Sequence, residues 1–294
     1  MAAAARSPHA HMARSGPDFI CIGMPKAGTG WLYDQLMHHP DFWMPPVKEI
    51  NYLLGSPRAM KNTIRQLEHS RKKPRDGRCF APRDHNFLKD AGAFANKPTN
   101  FERYSSLFRY KGDLLSGDVS PKYCSLAAND IAEIGRNLPN TKIVLLVRDP
   151  IARLWSGFSM LNRKGKLDLR VLQNEDTFRS FLAKKGARER MFPTIILERW
   201  RQHAPMLPLR HFFLDDIEHQ PDETRRKLLT FVGADPEKTS GKFPANHNRK
   251  AAAPKLAMPE YARAVLVEYF AEELRACAAQ LGGAAEAWPA RYGF

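Results

Sequence analysis

Cysteine is scarce in this chain of 294 residues, and no cysteine lies near another. The four stand at positions 21, 79, 124 and 277, so the sequence has no Cys-x-x-Cys pair. Zinc sites and disulfide-rich folds need cysteines that are closer together or more numerous. We therefore expect no metal site, no disulfide framework, and reduced thiols in a cytoplasmic protein.

Long hydrophobic runs are lacking as well. No stretch approaches the roughly 20 consecutive apolar residues that a membrane-spanning helix needs. Residues 1–17 are rich in alanine, contain no acidic residue, and lack an apolar core long enough for a secretory signal. The sequence predicts a disordered N-terminal tail over 1–17, with a transit peptide as the weaker alternative, and no transmembrane segment.

Acidic residues are too few to balance the basic ones, and the net charge is +15. A positive surface attracts nucleic acid, acidic membranes and small polyanions alike. No recognition helix or basic sheet with interleaved aromatic residues stands out, so nucleic acid is not an expected partner. Basic residues concentrate at about 56–100, which we interpret as an irregular insertion or lid in a single domain spanning 18–294. This segment either contacts an anionic acceptor or is a solvated face.

Strand and helix patterns alternate along the chain, which indicates an α/β fold with a parallel sheet covered by helices on both faces. Asp18–Gly23 and Lys142–Val147 are apolar runs that predict two buried strands of one sheet. The helices that follow these two strands are predicted over Thr29–His38 and Ile151–Leu161. The remaining predicted elements are the strand His211–Leu214 and the helices Leu126–Leu138, Phe178–Lys185, Pro193–His203, Asp222–Val232 and Pro259–Leu281.

The first candidate site is the glycine-rich segment Gly23–Trp31, with the sequence GMPKAGTGW, between the first strand and its helix. Backbone N–H groups in such a loop, together with the positive end of the helix dipole, form a seat for phosphate or sulfate. The nucleotide-binding motif GxxxxGK(S/T) is matched in its glycines only, because Lys26 lies inside the loop and Gly30 stands where a metal-holding hydroxyl belongs. A magnesium-dependent kinase is therefore poorly supported. The plain alternative is a glycine turn with a solvated lysine.

A second anion site is predicted at the end of the second strand. Arg148 leaves this strand where open α/β sheets bind ligands, and Ser156 lies one to two turns into the next helix. A guanidinium and a hydroxyl together suit a phosphate monoester. Asp149 and Pro150 form a typical helix start, so we expect Asp149 to be a helix cap. We expect Arg153 to be a surface or ion-pair residue.

Four motifs in order carry a resemblance to a known family. They are Pro25–Gly30 (PKAGTG), Lys48–Leu53 (KEINYL), Gly117–Tyr123 (GDVSPKY), and Arg148-Asp149-Pro150 with Arg153 and Ser156. With Tyr104–Phe108 and the Phe231–Gly233 turn, they make the chain from Asp18 onward resemble the sulfotransferase superfamily that uses 3'-phosphoadenosine-5'-phosphosulfate (PAPS). In particular, the chain resembles the bacterial enzymes related to the heparan sulfate sulfotransferases. Gly30, in place of Thr or Ser, and Leu53, in place of an aromatic residue, depart from the family pattern.

The resemblance implies a three-layer P-loop-like fold and a reaction. A sulfuryl group would pass from PAPS to a hydroxyl or amine, leaving 3'-phosphoadenosine-5'-phosphate (PAP). Glu49 would be the general base, with Lys26 and Lys48 as catalytic cations that stabilise charge in the transition state. The implied donor-binding residues are Lys26, Ala27, Gly28, Thr29, Gly30, Trp31, Arg148, Ser156, Arg249 and Lys250.

Several alternatives stay open from the sequence. An exposed charged pair is the plain interpretation of Lys48 and Glu49, and His85 is a rival base. His38 and His39, at the end of the first helix, need no catalytic role. Ser120, Lys122 and Tyr123 would line the acceptor side or support the loop, and Asp118 would hold a basic residue or a backbone turn. A nucleotide-dependent kinase and a non-enzymatic polyanion-binding protein are the rival functions, and the acceptor, by analogy a glycan or glycolipid, is not identified.

Overall fold

One parallel sheet of four strands organises the protein. The computed structural model describes residues 16–55, 57–75, 78–95, 97–184, 186–238, 244 and 255–294, with only the backbone described at 57–63. Residues 1–15 of the tail predicted over 1–17 lie outside the described residues, as do the donor-binding candidates Arg249 and Lys250. The strands are β1 (Phe19–Gly23), β2 (Gly117–Val119), β3 (Lys142–Val147) and β4 (Leu209–Phe213), in the order β2-β1-β3-β4.

The central strands are buried on both faces, as the near-continuous apolar sequences FICIG and KIVLLV predict. Ile20 of β1 lies opposite Asp118 of β2 on one side and Ile143 of β3 on the other. From β1 the chain adds β2 on one side of the sheet and then returns to add β3 on the other. The carboxyl ends of β1 and β3 therefore border the crevice where parallel α/β sheets bind ligands.

Helices flank this sheet and confirm the predicted α/β class. The helix that follows β1 is α1 (Thr29–Met37), and the one that follows β3 is α6 (Pro150–Arg163). None of the helices in the described part of the chain combines the length and the apolar character needed to cross a bilayer. The other helices are α2 (Pro57–Lys72), α3 (Pro82–Phe94), α4 (Phe101–Ser106), α5 (Ala128–Asn137), α7 (Glu175–Leu182), α8 (Arg188–Met191), α9 (Pro193–His203), α10 (Leu214–His219), α11 (Pro221–Val232) and α12 (Glu260–Leu281).

The basic segment at 56–100 is not irregular, and that expectation is wrong. It contains α2 and α3, two helices that contact each other. Leu67 on α2 and Phe87, Leu88 and Ala91 on α3 are buried, at spacings typical of amphipathic helices. The dense positive charge of the outer faces conceals this apolar pattern. Whether the segment is an insertion or a lid stays a prediction.

Candidate functional site

The loop after β1 has the geometry of an anion seat. Gly28 is the N-cap of α1 with φ 96°, and α1 has neither a side-chain cap nor an acidic residue in its first turn. The Met24 N–H donates to the Leu146 carbonyl of β3 at 2.7 Å, which ties the loop to the neighbouring strand. A Cβ at position 28 would meet Leu214 and Ile217 side chains at 3.2 Å, so both the space and the positive φ favour glycine. The cap and first turn of α1 thus supply no anionic side chain to the positive end of the helix dipole.

Cationic side chains gather at this loop. Arg148 Nη1 donates to the Lys26 carbonyl at 3.2 Å, which joins the β3–α6 turn to the β1–α1 loop. Lys26 is half-buried, and burial, followed by the positive charges of Arg163, Arg148, Lys164 and Lys48, lowers the pKa of its ammonium group. The structure thus brings together Lys26, Lys48 and Arg148. The sequence analysis did not single out Arg163 and Lys164, whose only signal was the basic end of a helix.

The donor-binding candidates around the loop differ in how their side chains are placed. Ala27, Thr29 and Trp31 are buried, so the loop presents mainly its backbone here. Gly30 and Ser156 are partly exposed, and Ser156 lies on α6 eight residues after Arg148. Arg148 of the β3–α6 turn therefore adjoins the backbone of the β1–α1 loop, and Ser156 lies further along α6.

Lys48 and Glu49 lie next to the carboxyl end of β2. The Glu49 N–H donates to the carbonyl of Val119, the last residue of β2, at 3.1 Å. Lys48 Nζ contacts Glu49 Oε1 at 3.1 Å, and the two side chains are 15% and 30% exposed. Neither is a freely solvated surface residue. Glu49 has φ 66°, a left-handed conformation that is uncommon outside glycine and needs support from its surroundings.

A buried carboxylate, Asp118, supplies that support through three hydroxyl groups. Asp118 Oδ1 accepts from Ser120 Oγ at 2.6 Å, and Oδ2 accepts from the Tyr123 and Tyr104 hydroxyls at 2.9 and 3.0 Å. Burial raises the pKa of Asp118 to about 6, although each hydroxyl bond acts in the opposite direction. The negative charge of nearby Glu49 raises this pKa further. We call Asp118, Ser120, Tyr104 and Tyr123 the Asp118 network.

The Asp118 network holds the backbone that follows Glu49. The Asn51 N–H donates to Ser120 Oγ at 3.0 Å, and the Leu53 N–H donates to the Tyr123 hydroxyl at 3.2 Å. Asn51 Nδ2 also donates to the Glu49 carbonyl at 2.8 Å. Of the roles left open by the sequence, Ser120 and Tyr123 therefore support the loop, and Asp118 holds a backbone turn. Lys122 is exposed.

The start of α6 confirms one prediction and overturns another. Asp149 Oδ1 accepts from the Ile151 and Ala152 N–H groups at 2.9 and 3.1 Å, as a helix cap does. Arg153, however, is not a surface or ion-pair residue, because it is only 7% exposed and donates to the Met191 carbonyl at 3.3 Å. Burial lowers the pKa of its guanidinium to about 10. Its position on the inner face of α6 decides its environment.

The histidine candidates are differently placed. His39 is buried and bridges the Asp235 carbonyl and the Asp41 N–H, at 3.0 and 3.2 Å, which is a structural role. His85 is exposed on α3, where its ring packs edge-on against Phe80 at 5.6 Å. The carboxylate of Glu49, in contrast, adjoins Lys48, one of the charges that act on Lys26.

Comparison with known protein families identifies one match. The family described as "Sulfotransferase family" matches residues 17–238, which contain the sheet, both loops and the Asp118 network. Comparison with curated protein sequences finds no match.

Solved structures of sulfotransferases are similar to this chain, and the first described below supports the same fold. A sulfotransferase from Alicyclobacillus acidocaldarius is 19% identical, with a TM-score of 0.62 over 92% of this chain and 98% of that one. A sulfotransferase from Mycobacterium avium is 14% identical, with a TM-score of 0.49 over 92% of this chain and 79% of that one. A sulfotransferase domain of a Synechococcus olefin synthase is 18% identical, with a TM-score of 0.47 over 87% of this chain and 95% of that one.

Proposed function

The chain belongs to the sulfotransferase family, and we propose that it transfers a sulfuryl group from PAPS to a hydroxyl or amine of an acceptor. The observation that carries this proposal is the group of cations around an uncapped helix N-terminus: Lys26 in the loop, with Arg148 and Lys48 beside it. A donor with phosphates at both its 3' and 5' positions needs two such anion seats close together, and the two loops offer them.

The residues that fit the donor divide between the two loops. The backbone of residues 27–30 and Lys26 suit the 5'-phosphosulfate, because N–H groups and an ammonium stabilise the charge that develops on the leaving phosphate. Arg148 and Ser156 suit the 3'-phosphate. Arg249 and Lys250 remain candidates for the same phosphate. PAPS supplies the activated sulfuryl group, and PAP is its product.

Glu49 is the proposed general base. Its carboxylate is partly exposed, its backbone is fixed by Val119, and the Lys48 ammonium contacts it. A carboxylate in this position removes the proton of the acceptor as the acceptor attacks. Lys48 would act on the transferring group as a second cation. A glycan or glycolipid acceptor and a cytoplasmic location stay predictions.

Calorimetric titration with PAP in magnesium-free buffer tests the donor assignment, with AMP and ATP as comparison ligands. We expect selective binding of PAP, and loss of that selectivity in Arg148→Ala, because this variant lacks the guanidinium assigned to the 3'-phosphate. Lys142→Ala is the matched control, since it removes a cation from the opposite end of β3.

Two other results would contradict the proposal. A preference for ATP with magnesium would support a kinase, although Gly30 offers no hydroxyl to a metal ion. Salt-dependent binding of polyanions without selective nucleotide binding would support a polyanion-binding protein.

A further inference from the structure

Position 30 has a neighbour that comes from the basic segment at 56–100. Apart from its chain neighbours and the backbone of α1, the nearest described atom to a Cβ built on Gly30 is Nη2 of Arg75, at 3.5 Å. Gly30 is the second residue of α1, and the Cα–Cβ bonds of a helix tilt towards its N-terminus. The space that a side chain at position 30 would enter therefore adjoins the anion seat, and the guanidinium of Arg75 borders this space.

Arg75 is held there by the buried carboxylate of Asp34, which lies on α1. Its Nε and Nη2 contact the two carboxylate oxygens of Asp34 at 2.5 and 2.8 Å, a side-on pairing that fixes the plane of the guanidinium. Asp34 lies four residues after Gly30 and its side chain is completely buried, whereas the side chain of Arg75 is 31% exposed. The guanidinium also lies over the Tyr33 ring, 5.6 Å from its centroid. Asp34 and Tyr33 thus place Arg75 along α1.

We propose that Arg75 is a donor-binding residue that contacts the 5'-phosphosulfate and takes over the part that a hydroxyl at position 30 would play. A guanidinium has five N–H donors, so an arginine that pairs side-on with a carboxylate can also contact an oxygen of the donor. The inference rests on the proposed function. It also assigns one role to the basic segment, which is to bring a cation to the site.

The test separates the two ends of the donor by using ligands that carry only one phosphate. AMP probes the 5' position, adenosine 3'-monophosphate probes the 3' position, and PAP probes both. We expect Arg75→Ala to weaken the binding of AMP and of PAP by a similar factor, about ten- to a hundredfold. The binding of adenosine 3'-monophosphate should be unchanged. Arg148→Ala should weaken the binding of adenosine 3'-monophosphate and PAP by a larger factor than the binding of AMP, because its guanidinium is assigned to the 3'-phosphate and only supports the Lys26 carbonyl in the 5' loop.

Two further variants guard against indirect effects. Asp34→Asn combined with Arg75→Gln removes the buried charge together with its partner, so a loss of AMP binding in this folded variant supports the contact. Gly30→Ser added to Arg75→Ala restores a hydroxyl beside the anion seat, and we expect it to recover AMP binding. Arg71→Ala is the matched control, because it removes an exposed cation from the end of α2.

The inference and the proposed function fail in different ways. If the wild-type protein does not bind PAP, the proposed function is wrong. If it binds PAP but a folded Arg75→Ala variant binds AMP as tightly as wild type, Arg75 is not a donor-binding residue. Equal weakening of AMP and adenosine 3'-monophosphate, or an equal effect of Arg71→Ala, would also overturn the inference, since neither indicates a local contact.

Discussion

The loop at residues 24–28 keeps its shape through backbone bonds, whereas the segment at 49–53 depends on side chains from distant parts of the chain. In the loop, the Ala27 N–H donates to the Met24 carbonyl and the Leu32 N–H to the Gly28 carbonyl. In the segment, Asn51 and Leu53 donate to hydroxyls 69 and 70 residues away. A change of side chain should therefore alter the charge of the loop without altering its shape. A change in the Asp118 network should move the segment.

The largest expected effect is that of Glu49→Gln. Removing a general base lowers turnover by about 10²- to 10⁴-fold, and PAP binding should be unchanged because the donor residues lie in the other region. Turnover measured with saturating PAPS, under conditions where chemistry limits the rate, provides the check. Glu102→Gln, an exposed glutamate in the first turn of α4, is the control. Full turnover by the Glu49 variant would show that another residue is the base.

Lys26→Met is the second test, because it keeps the length of the side chain and removes its charge. We expect turnover to fall by about 10²- to 10³-fold, the size of effect seen when one stabilising donor is removed from an active site. PAP binding should weaken as well. Circular dichroism and thermal unfolding should be almost unchanged, since the loop is held by its backbone. A large loss of thermal stability would show that the loop at 24–28, like the segment at 49–53, depends on a side chain for its shape.

The smallest effect on turnover is expected for Asp118→Asn, and its signature is a pH dependence of stability. Burial raises the pKa of Asp118 to about 6 from the ordinary value of 3.8, so the folded state binds this proton more tightly than the unfolded state. The stabilisation is fully present below about pH 4 and is lost as pH rises through about 6, a change of about 3 kcal/mol in the free energy of unfolding.

Asparagine does not titrate, so the variant should lack this dependence. The difference in unfolding free energy between wild type and Asp118→Asn should favour wild type more at pH 4 than at pH 7.5. Denaturant titrations at both values measure this difference, in which groups common to both proteins cancel. A difference that is independent of pH would show that the pKa of Asp118 is not raised.

The sequence predicted the elements whose pattern is local. The strand Lys142–Val147 and the helix Pro193–His203 have the predicted bounds, because a buried apolar run and a proline at a helix start mark their ends. The strand β2, with three residues, is too short to show a pattern. The sequence predicts no strand there, and the residues of β2 are singled out only as part of the motif Gly117–Tyr123.

What the sequence could not predict depends on contacts between distant residues. Arg153 looks like a surface residue until its helix is placed against Met191. The Asp118 network supports the segment at 49–53 only after Ser120 and Tyr123 have packed against Asn51 and Leu53, which lie 69 and 70 residues away in the chain. In the sequence, Gly30 is only a departure from the family pattern. In the structure, the guanidinium of Arg75, 45 positions further on, borders the space that a side chain at position 30 would enter.

The position of β1 in the middle of the sheet also has a consequence for biosynthesis. This strand is made before both of its partners, β2 and β3, and the last residue of β3 is Val147. At about 5–20 residues per second, a ribosome needs roughly 6–25 seconds to make the chain between Gly23 and Val147. Until β2 has been made, the apolar sequence FICIG has no strand to pair with, and its second partner, β3, is complete only at the end of that time. The nascent chain is therefore most exposed to chaperones and to aggregation at the segment that later carries the donor loop.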